Sequence, residues 1–222
     1  MKKKVLVSWS TGKDSAWALH VPRSDSAIEV RGLFSTLSRR FCRVSMHATR
    51  KELLCRQAKE TGLPVRAIEL PYPCANKQYE AAMDDLIKET NDKGIDGIAF
   101  GDIYLADVKH YREKQLGDKG IEPIFPLWGN PSVELAERML ATGLEAYVSS
   151  VDLKKLPLSF VGRRWSHEFV KELPEGIDPC GEKGEFHTVV VDGPMFGNRI
   201  EVEPGEVVQR NGFAYDDIRA VR

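Results

Sequence analysis

Over its first 145 residues the chain alternates between two kinds of segment. Short apolar, β-branched runs at residues 3–8, 30–36, 65–70 and 98–100 are separated by helical patterns at 14–20, 50–61 and 79–93. A strand at 121–125, a helix at 132–142 and a strand at 146–150 continue the series. Gly62, Gly94 and Gly143 stand just past three of the helical runs as stop signals, and Ser132 stands where the last of them needs a cap. Strands joined by long helical crossovers can only pair in parallel, and a parallel sheet needs cover on both faces. The expected fold is therefore α/β, a Rossmann-like parallel sheet with helices on both faces. In such sheets ligands bind at the carboxyl ends of the strands, near the switch point. That draws the chemistry to residues 10–15 after the first strand and to Gly101-Asp102 after the fourth.

Beyond residue 150 the pattern changes. Pro157, Gly162, Pro174, Gly176, Pro179, Gly181 and Gly184 break the chain, and short strands are expected at 186–192, 199–202 and 206–210. This is read as a smaller α+β domain, giving a division at 1–145 and 146–222. Thirty-two basic residues against 33 acidic ones leave a net charge of −1, and 42% of the chain is apolar. Those values exclude disorder and give no basic footprint for nucleic acid. Cys42, Cys55, Cys74 and Cys180 form no CxxC pair, so neither a zinc knuckle nor a disulfide framework is expected. No apolar run reaches membrane-spanning length, and the apolar run behind Lys2, Lys3 and Lys4 is too short for a secretory signal. The expected location is the cytoplasm.

The first motif is Ser10-Thr11-Gly12-Lys13-Asp14-Ser15. A loop of small residues exposes backbone N–H groups, and the helix behind it adds unpaired donors and partial positive charge, which suits a phosphate. Lys13 supplies a mobile cation, and Ser10 and Ser15 supply hydroxyls. Asp14 repels phosphate unless Mg²⁺ lies between them. A Walker A loop is excluded, because Val7 stands where its first glycine belongs and Asp14 follows the lysine. The competing reading is a helix capped by polar side chains. The six residues resemble the SGGxDS signature of the PP-loop (HUP-type) ATP pyrophosphatases. That resemblance implies ATP bound on this loop, cleavage between its α and β phosphates, and adenylation of a substrate oxygen. The departure is Thr11, where that group usually has glycine.

The second motif runs from Asp178 to Thr188. Gly181 and Gly184 let backbone approach a ligand closely. Glu182 and Glu185 can accept from ammonium, hold Mg²⁺ or act as a base. Cys180 reads either as a nucleophile without an assigned base or as a small buried residue. His187 reads as a site residue or as a hydrogen-bonded strand histidine. Gly181-Glu182, Gly184-Glu185, Phe186 and Thr188, with Asp192-Gly-Pro-Met-Phe196 downstream, resemble the diphthine–ammonia ligase family within the PP-loop group. His187 is similar to that family's bacterial branch. The resemblance runs end to end through Met46-His47, Pro71 to Cys74, Tyr79-Glu80, Tyr111-Arg112 and Phe160 to Arg163.

The resemblance implies a ligase that adenylates an acceptor carboxylate and amidates it with ammonia, using ATP and Mg²⁺. On this reading Ser10, Thr11, Gly12, Lys13, Asp14, Ser15, Ser35, His47, Gly101 and Asp102 hold the nucleotide. Glu80, Arg112, Cys180, Gly181, Glu182, Glu185 and His187 face the acceptor. Lys13, Asp14, Glu182 and Glu185 are the expected catalytic groups, with Asp14 on the metal. The partners are ATP, ammonia and an unidentified carboxylate, with no membrane and no nucleic acid; a homodimer is allowed. Arg112 is expected in a loop after Asp102. Two other readings stand beside this one: a thiolation-type PP-loop enzyme acting on tRNA, and an ATP or AMP sensor without turnover. Arg39-Arg40-Phe41-Cys42-Arg43 is a basic cluster with one aromatic, read as a charged loop or as a contact for an anionic partner.

Overall fold

A computed structural model describes residues 1–221. The chain runs β1 (Lys3–Ser8), α1 (Lys13–Ser24), β2 (Ile28–Ser38), β3 (Arg43–Val44), α2 (Lys51–Thr61), β4 (Val65–Leu70), α3 (Asn76–Asp92), β5 (Gly97–Ala99), α4 (Ala106–Gly117), β6 (Glu122–Ile124) and α5 (Ser132–Ala141). β1 pairs in parallel with β2 on one side and β5 on the other; β4 extends the sheet beyond β2, and β6 beyond β5. β3 folds back antiparallel on the end of β2. The chain thus moves outward from β1 to β4, then returns to the other side of β1, so the switch point lies between β1 and β5.

Neighbouring strand residues divide between two buried clusters, as the pleat requires. Val5, Val7, Leu33 and Ala99 pack with α1, α2 and α5 residues such as Leu19, Leu54 and Leu135. Phe34, Ile98 and Phe100 pack with Met83, Leu86 and Ile87 of α3 and Leu116 of α4. Helices therefore cover both faces, as the sequence predicts.

Local details differ from expectation. Arg112 lies on α4, not in a loop; that helix buries only Leu116, so it carries no apolar stripe to read. The cap of α5 is Pro131, with Ser132 as the first helical residue and no side-chain bond to the helix end. α1 continues through Pro22 to Ser24, with Pro22 buried near the helix end, although proline brings no backbone N–H to the helix.

The remaining chain forms β7 (Glu145–Asp152), a 3₁₀ turn (Leu158–Phe160), β8 (Arg164–Trp165), α6 (His167–Lys171), β9 (Phe186–Asp192), β10 (Val202–Glu203), β11 (Val207–Arg210), β12 (Phe213–Asp216) and β13 (Arg219–Ala220). β7 is the spine of an antiparallel sheet, pairing with β8, β9 and β12. The strand expected at 199–202 is the shorter β10, paired with β13. The first buried cluster crosses between the sheets, from Val5 and Trp9 through Trp165, Phe186 and Val190. Polar bonds follow the same path. Gln57 accepts from the Trp9 indole (2.9 Å) and donates to the carbonyls of Thr11 (3.0 Å) and Val190 (2.7 Å).

Gly101 lets the end of β5 lie on the start of α1: a Cβ there would sit 2.9 Å from the Asp14 carbonyl carbon and 3.1 Å from the Ser15 nitrogen. Both are backbone atoms with no freedom to yield. Gly101→Ala is expected to destabilise the fold by about 2 kcal/mol, read as a lower melting temperature. An unchanged melt would show that the two loops are not in contact.

Candidate active site

Four segments meet at the switch point: the β1–α1 loop, the turn after β3, the β5–α4 loop, and residues 178–188 leading into β9. Residues 178–182 are shaped by Asp178. Its Oδ1 accepts from the Cys180 amide (2.7 Å), and its Oδ2 accepts from the Tyr104 hydroxyl (2.9 Å). Glu182 then reaches across to the other segment, its Oε1 accepting from the amides of Ile103 (2.8 Å) and Tyr104 (3.4 Å). The two motifs, about 170 residues apart in sequence, are also tied directly: the Lys13 amide donates to Thr188 Oγ1 (3.1 Å), and the Val190 amide to the Thr11 carbonyl (2.9 Å).

The cap of α1 is Gly12, with no side-chain bond to the helix end. The polar-cap reading of the first motif therefore fails: Ser15 Oγ donates back to the Gly12 carbonyl (2.8 Å), and Ser10 Oγ donates to Ser15 Oγ (3.2 Å). Thr11 takes the left-handed conformation at φ 74°, the reason a glycine suits this position. Its side chain is buried, donating to Thr49 Oγ1 (2.8 Å), so it stands behind the loop and does not crowd a ligand in front of it.

Lys13 is not a mobile cation. It is 2% exposed, with its ammonium 2.9 Å from both Asp14 oxygens, bonded to the Cys180 carbonyl, and near the rings of Trp165 (5.5 Å) and Phe186 (5.6 Å). Burial alone would discharge it, but Asp14 and its other neighbours outweigh that and raise its pKa.

A cavity of about 810 Å³ opens over these segments. It is lined by Ser10, Lys13, Asp14, Ser15, Ser35, His47, Gly101, Asp102, Arg112, Gly181, Glu182 and His187 of the expected site, with Met46, Tyr79, Phe100 and Thr188 among its other walls. Thr11, Gly12, Glu80, Cys180 and Glu185 are not in its lining. Thr11 and Gly12 support the loop. Glu80 lines a neighbouring hollow with Asp107 and Tyr111. Cys180 is buried, its Sγ 3.5 Å from the Ser132 carbonyl, and burial pushes its thiol up to about 12, so it is no nucleophile. Glu185 is buried with its Oε2 unpartnered. Sequence reasoning left Thr188 out of the site; its signal, a hydroxyl within the second motif, is readable only once its partner Lys13 is known.

The cavity's electrostatics are unsettled in a way that points to a ligand. Ser35 Oγ, Asp102 Oδ2 and Arg112 Nε are buried and have no hydrogen-bond partner. Arg112 Nε stands 4.0 Å from Asp102, its Nη1 donates to the Tyr79 hydroxyl (3.3 Å), and its guanidinium lies over Phe100. Burial, aided by Asp14, raises the Asp102 pKa against the pull of Arg112. Burial, then the charges of Asp14 and Asp102, push Glu182 to about 7. His47 and His187 pack against each other with ring centres 4.5 Å apart and planes tilted by 42°. Burial lowers His47 to about 4 and His187 well below its usual value, so both rings are uncharged at neutral pH.

A raised carboxyl pKa stabilises the fold below the unfolded value, and that contribution is lost as pH rises through the folded value. For Glu182 the window runs from about 4.5 to about 7. His47 and His187, whose pKa values are lowered, act oppositely on the acid side. The difference between Glu182→Gln and the wild type isolates the carboxyl: the variant should gain about 2 kcal/mol relative to wild type between pH 5 and pH 8. A pH-independent difference would contradict the assignment.

Family models match nearly the whole chain: the diphthamide synthase N-terminal domain at residues 2–123 and its C-terminal domain at residues 131–221. Curated relatives carry the name diphthine–ammonia ligase. The Bos taurus protein is 27% identical over 143 residues, 62% of this chain and 52% of that protein. The Rattus norvegicus protein is 28% identical over the same lengths. The Danio rerio protein is 27% identical over 181 residues, 74% of this chain and 71% of that protein. The chain thus spans about half the length of the mammalian relatives it matches.

Proposed function

Because the chain belongs to the diphthamide synthase family, we propose that it is an ATP-dependent, AMP-forming ligase that converts an acceptor carboxylate to an amide with ammonia. The relatives' shared name supports carbon–nitrogen bond formation. The observation that carries the nucleotide part is the set of unpartnered buried groups around the switch-point cavity, beside the start of α1, where Gly12 brings no side-chain cap and only the first amide, that of Lys13, is taken, by Thr188. ATP takes its pyrophosphate at residues 10–15 and its nucleoside end near Ser35 and His47. The acceptor's reacting carboxylate lies toward Arg112, Gly181, Glu182 and His187, so residues 1–145 serve the nucleotide and residues 146–222 serve the acceptor together with side chains of the first part.

Mg²⁺ fits this site as the ATP complex. Among the described residues no group of three His, Cys, Asp or Glu side chains could hold a metal alone, so the ion would arrive with the nucleotide, with phosphate oxygens and water supplying its remaining ligands. Asp14 is the residue that would hold it, and the mutual repulsion of Asp14, Asp102 and Glu182 is what a divalent cation removes. When bound, Mg²⁺ neutralises charge on the phosphates. The acceptor carboxylate attacks the α-phosphorus and the bond to pyrophosphate breaks. Ammonia then attacks the activated carbonyl carbon, AMP leaves, and the nitrogen gives up a proton. Lys13 acts by holding Asp14 in place, not by touching phosphate.

The buried, protonated Cys180 argues against a sulfur-carrying thiolation enzyme. No helix among the described residues is long and apolar enough to cross a membrane, and the location proposed is the cytoplasm. The test is product analysis with α-labelled ATP, ammonium and a carboxylate-rich metabolite extract. AMP and pyrophosphate should form only when both ammonium and extract are present. ADP as the product, or binding without turnover in every extract, would overturn the ligase reading.

A further inference from the structure

A second cleft, of about 530 Å³, adjoins the switch-point cavity and shares Val44, Ser45 and Met46 with it as a common wall. Its size suits the body of a small organic molecule. It lies between the turn after β2, the loop after β4 and the β11–β12 hairpin, so both sheets contribute. Three features distinguish it from ordinary surface.

The first is aromatic. Phe41 and Tyr72 meet edge to face at 4.9 Å, both partly exposed, and Tyr215 adds a third ring to the lining. The second is charge. Arg210, in the lining, stands over Phe41 (5.0 Å) and Tyr72 (5.8 Å), and Arg40, outside the lining at its rim, stands over the same two rings (5.4 and 5.9 Å). Neither guanidinium has a carboxylate partner among the described residues, whereas Arg43, Arg50 and Arg219 are all held by Asp217. Of the acids lining the cleft, Asp217 is thereby occupied and Asp216 accepts from the Gly205 amide (2.9 Å), which leaves exposed Glu206. The third is backbone strain. Cys42, Met46 and Ala48 take left-handed φ angles of 51°, 67° and 56°; Met46 stands in the wall between the two cavities, Ala48 lines the second cleft, and Cys42 lies just before them in the same turn. Such clusters of non-glycine strain concentrate where a loop is held for a purpose. Met46, at the shared wall, is 72% exposed.

We propose that this cleft binds an amphipathic organic anion, with an apolar or aromatic body and a peripheral carboxylate, as the acceptor whose reacting carboxylate reaches the switch-point cavity past Met46. The rings take the body, and Arg40 and Arg210 take the second anionic group. The acceptor thus carries at least two acids, one to be amidated and one to be gripped. The acceptor role rests on the nucleotide reading above; the cleft itself does not.

The test uses 1-anilinonaphthalene-8-sulfonate, an aromatic anion, and its uncharged analogue N-phenyl-1-naphthylamine, titrated by fluorescence. Wild type should bind the anion at one site, at least about tenfold more tightly than the neutral analogue. The double variant Arg40→Glu/Arg210→Glu should lose about tenfold or more in affinity for the anion, and Tyr72→Ala should weaken both probes. Melting by circular dichroism verifies that each variant folds. Mg-ATP titrated into wild type and the double variant reports separately on the nucleotide site. It should bind both within about twofold and should not displace the anion. Equal anion affinity in wild type and double variant, equal affinity for the two probes, or displacement by Mg-ATP would overturn the proposal. Probe binding that falls as protein concentration rises, with a dimer that the double variant breaks, would assign the cleft to a second copy of the chain and overturn it too. Loss of Mg-ATP binding in both proteins, with the probe results as expected, would sink the nucleotide reading and with it the acceptor role.

Discussion

Lys13→Met is expected to lower stability by about 3 kcal/mol and the melting temperature by roughly 6–12 °C. The side chain is buried at the junction of the two sheets and holds three oxygens at once: both of Asp14 and the carbonyl of Cys180. Removing the ammonium leaves a carboxylate and a carbonyl without their donor. The figure sits at the low end for a broken buried pair because the Asp14 side chain keeps 26% of its exposure and can recover some hydration. Methionine preserves most of the volume between Trp165 and Phe186, so the loss reports on charge rather than on a cavity. The double variant Lys13→Met/Asp14→Asn should regain a measurable part of the loss, because it no longer strands a charge. If Lys13→Met melts with the wild type, the lysine is not the bridge between the two motifs.

Asp14→Asn is expected to act on the ligand rather than on the fold alone. The side chain lines the cavity, keeps its shape in the variant, and loses the charge that would hold Mg²⁺. AMP formation should fall by about 10²–10³, the cost usual for removing one charge-stabilising group from a transition state. Mg-ATP affinity should fall by about tenfold, while ATP without Mg²⁺ should bind no worse than to wild type, since a repulsive charge has gone. Calorimetry with and without Mg²⁺ separates the two effects. Equal loss in both conditions would mean that Asp14 supports the loop only.

These two residues also mark where the sequence is legible and where it is not. The alternation of strands and helices depends on local apolar periodicity, so the parallel sheet and its switch point can be read from residues 3–124. α4 cannot, because its only buried side chain is Leu116 and the helix carries no stripe. The short strands β8, β12 and β13 depend on partners far along the chain, and no local pattern announces them. In the site, the small residues and acids of both motifs are visible as chemistry. What is not visible is direction. Glu182 faces the cavity because the amides of Ile103 and Tyr104 hold it there, while Glu185, three residues on, is buried and outside the lining. Lysine is seldom buried, so the enclosed position of Lys13 follows only from the fold around it. Thr11 hides its left-handed conformation, since a threonine at a glycine's position gives no sign that φ is positive.

On the proposed function, ATP binds where the β1–α1 loop, the turn after β3, the β5–α4 loop and residues 178–188 meet. Hydrogen exchange, with and without saturating Mg-ATP, tests it most directly, because it reports position as well as binding. The expected result is slower exchange confined to residues 8–15, 34–36, 45–47, 100–105 and 180–188, with β10, β11 and β13 unchanged. Protection elsewhere, or none at millimolar Mg-ATP, would contradict ATP binding at the switch point.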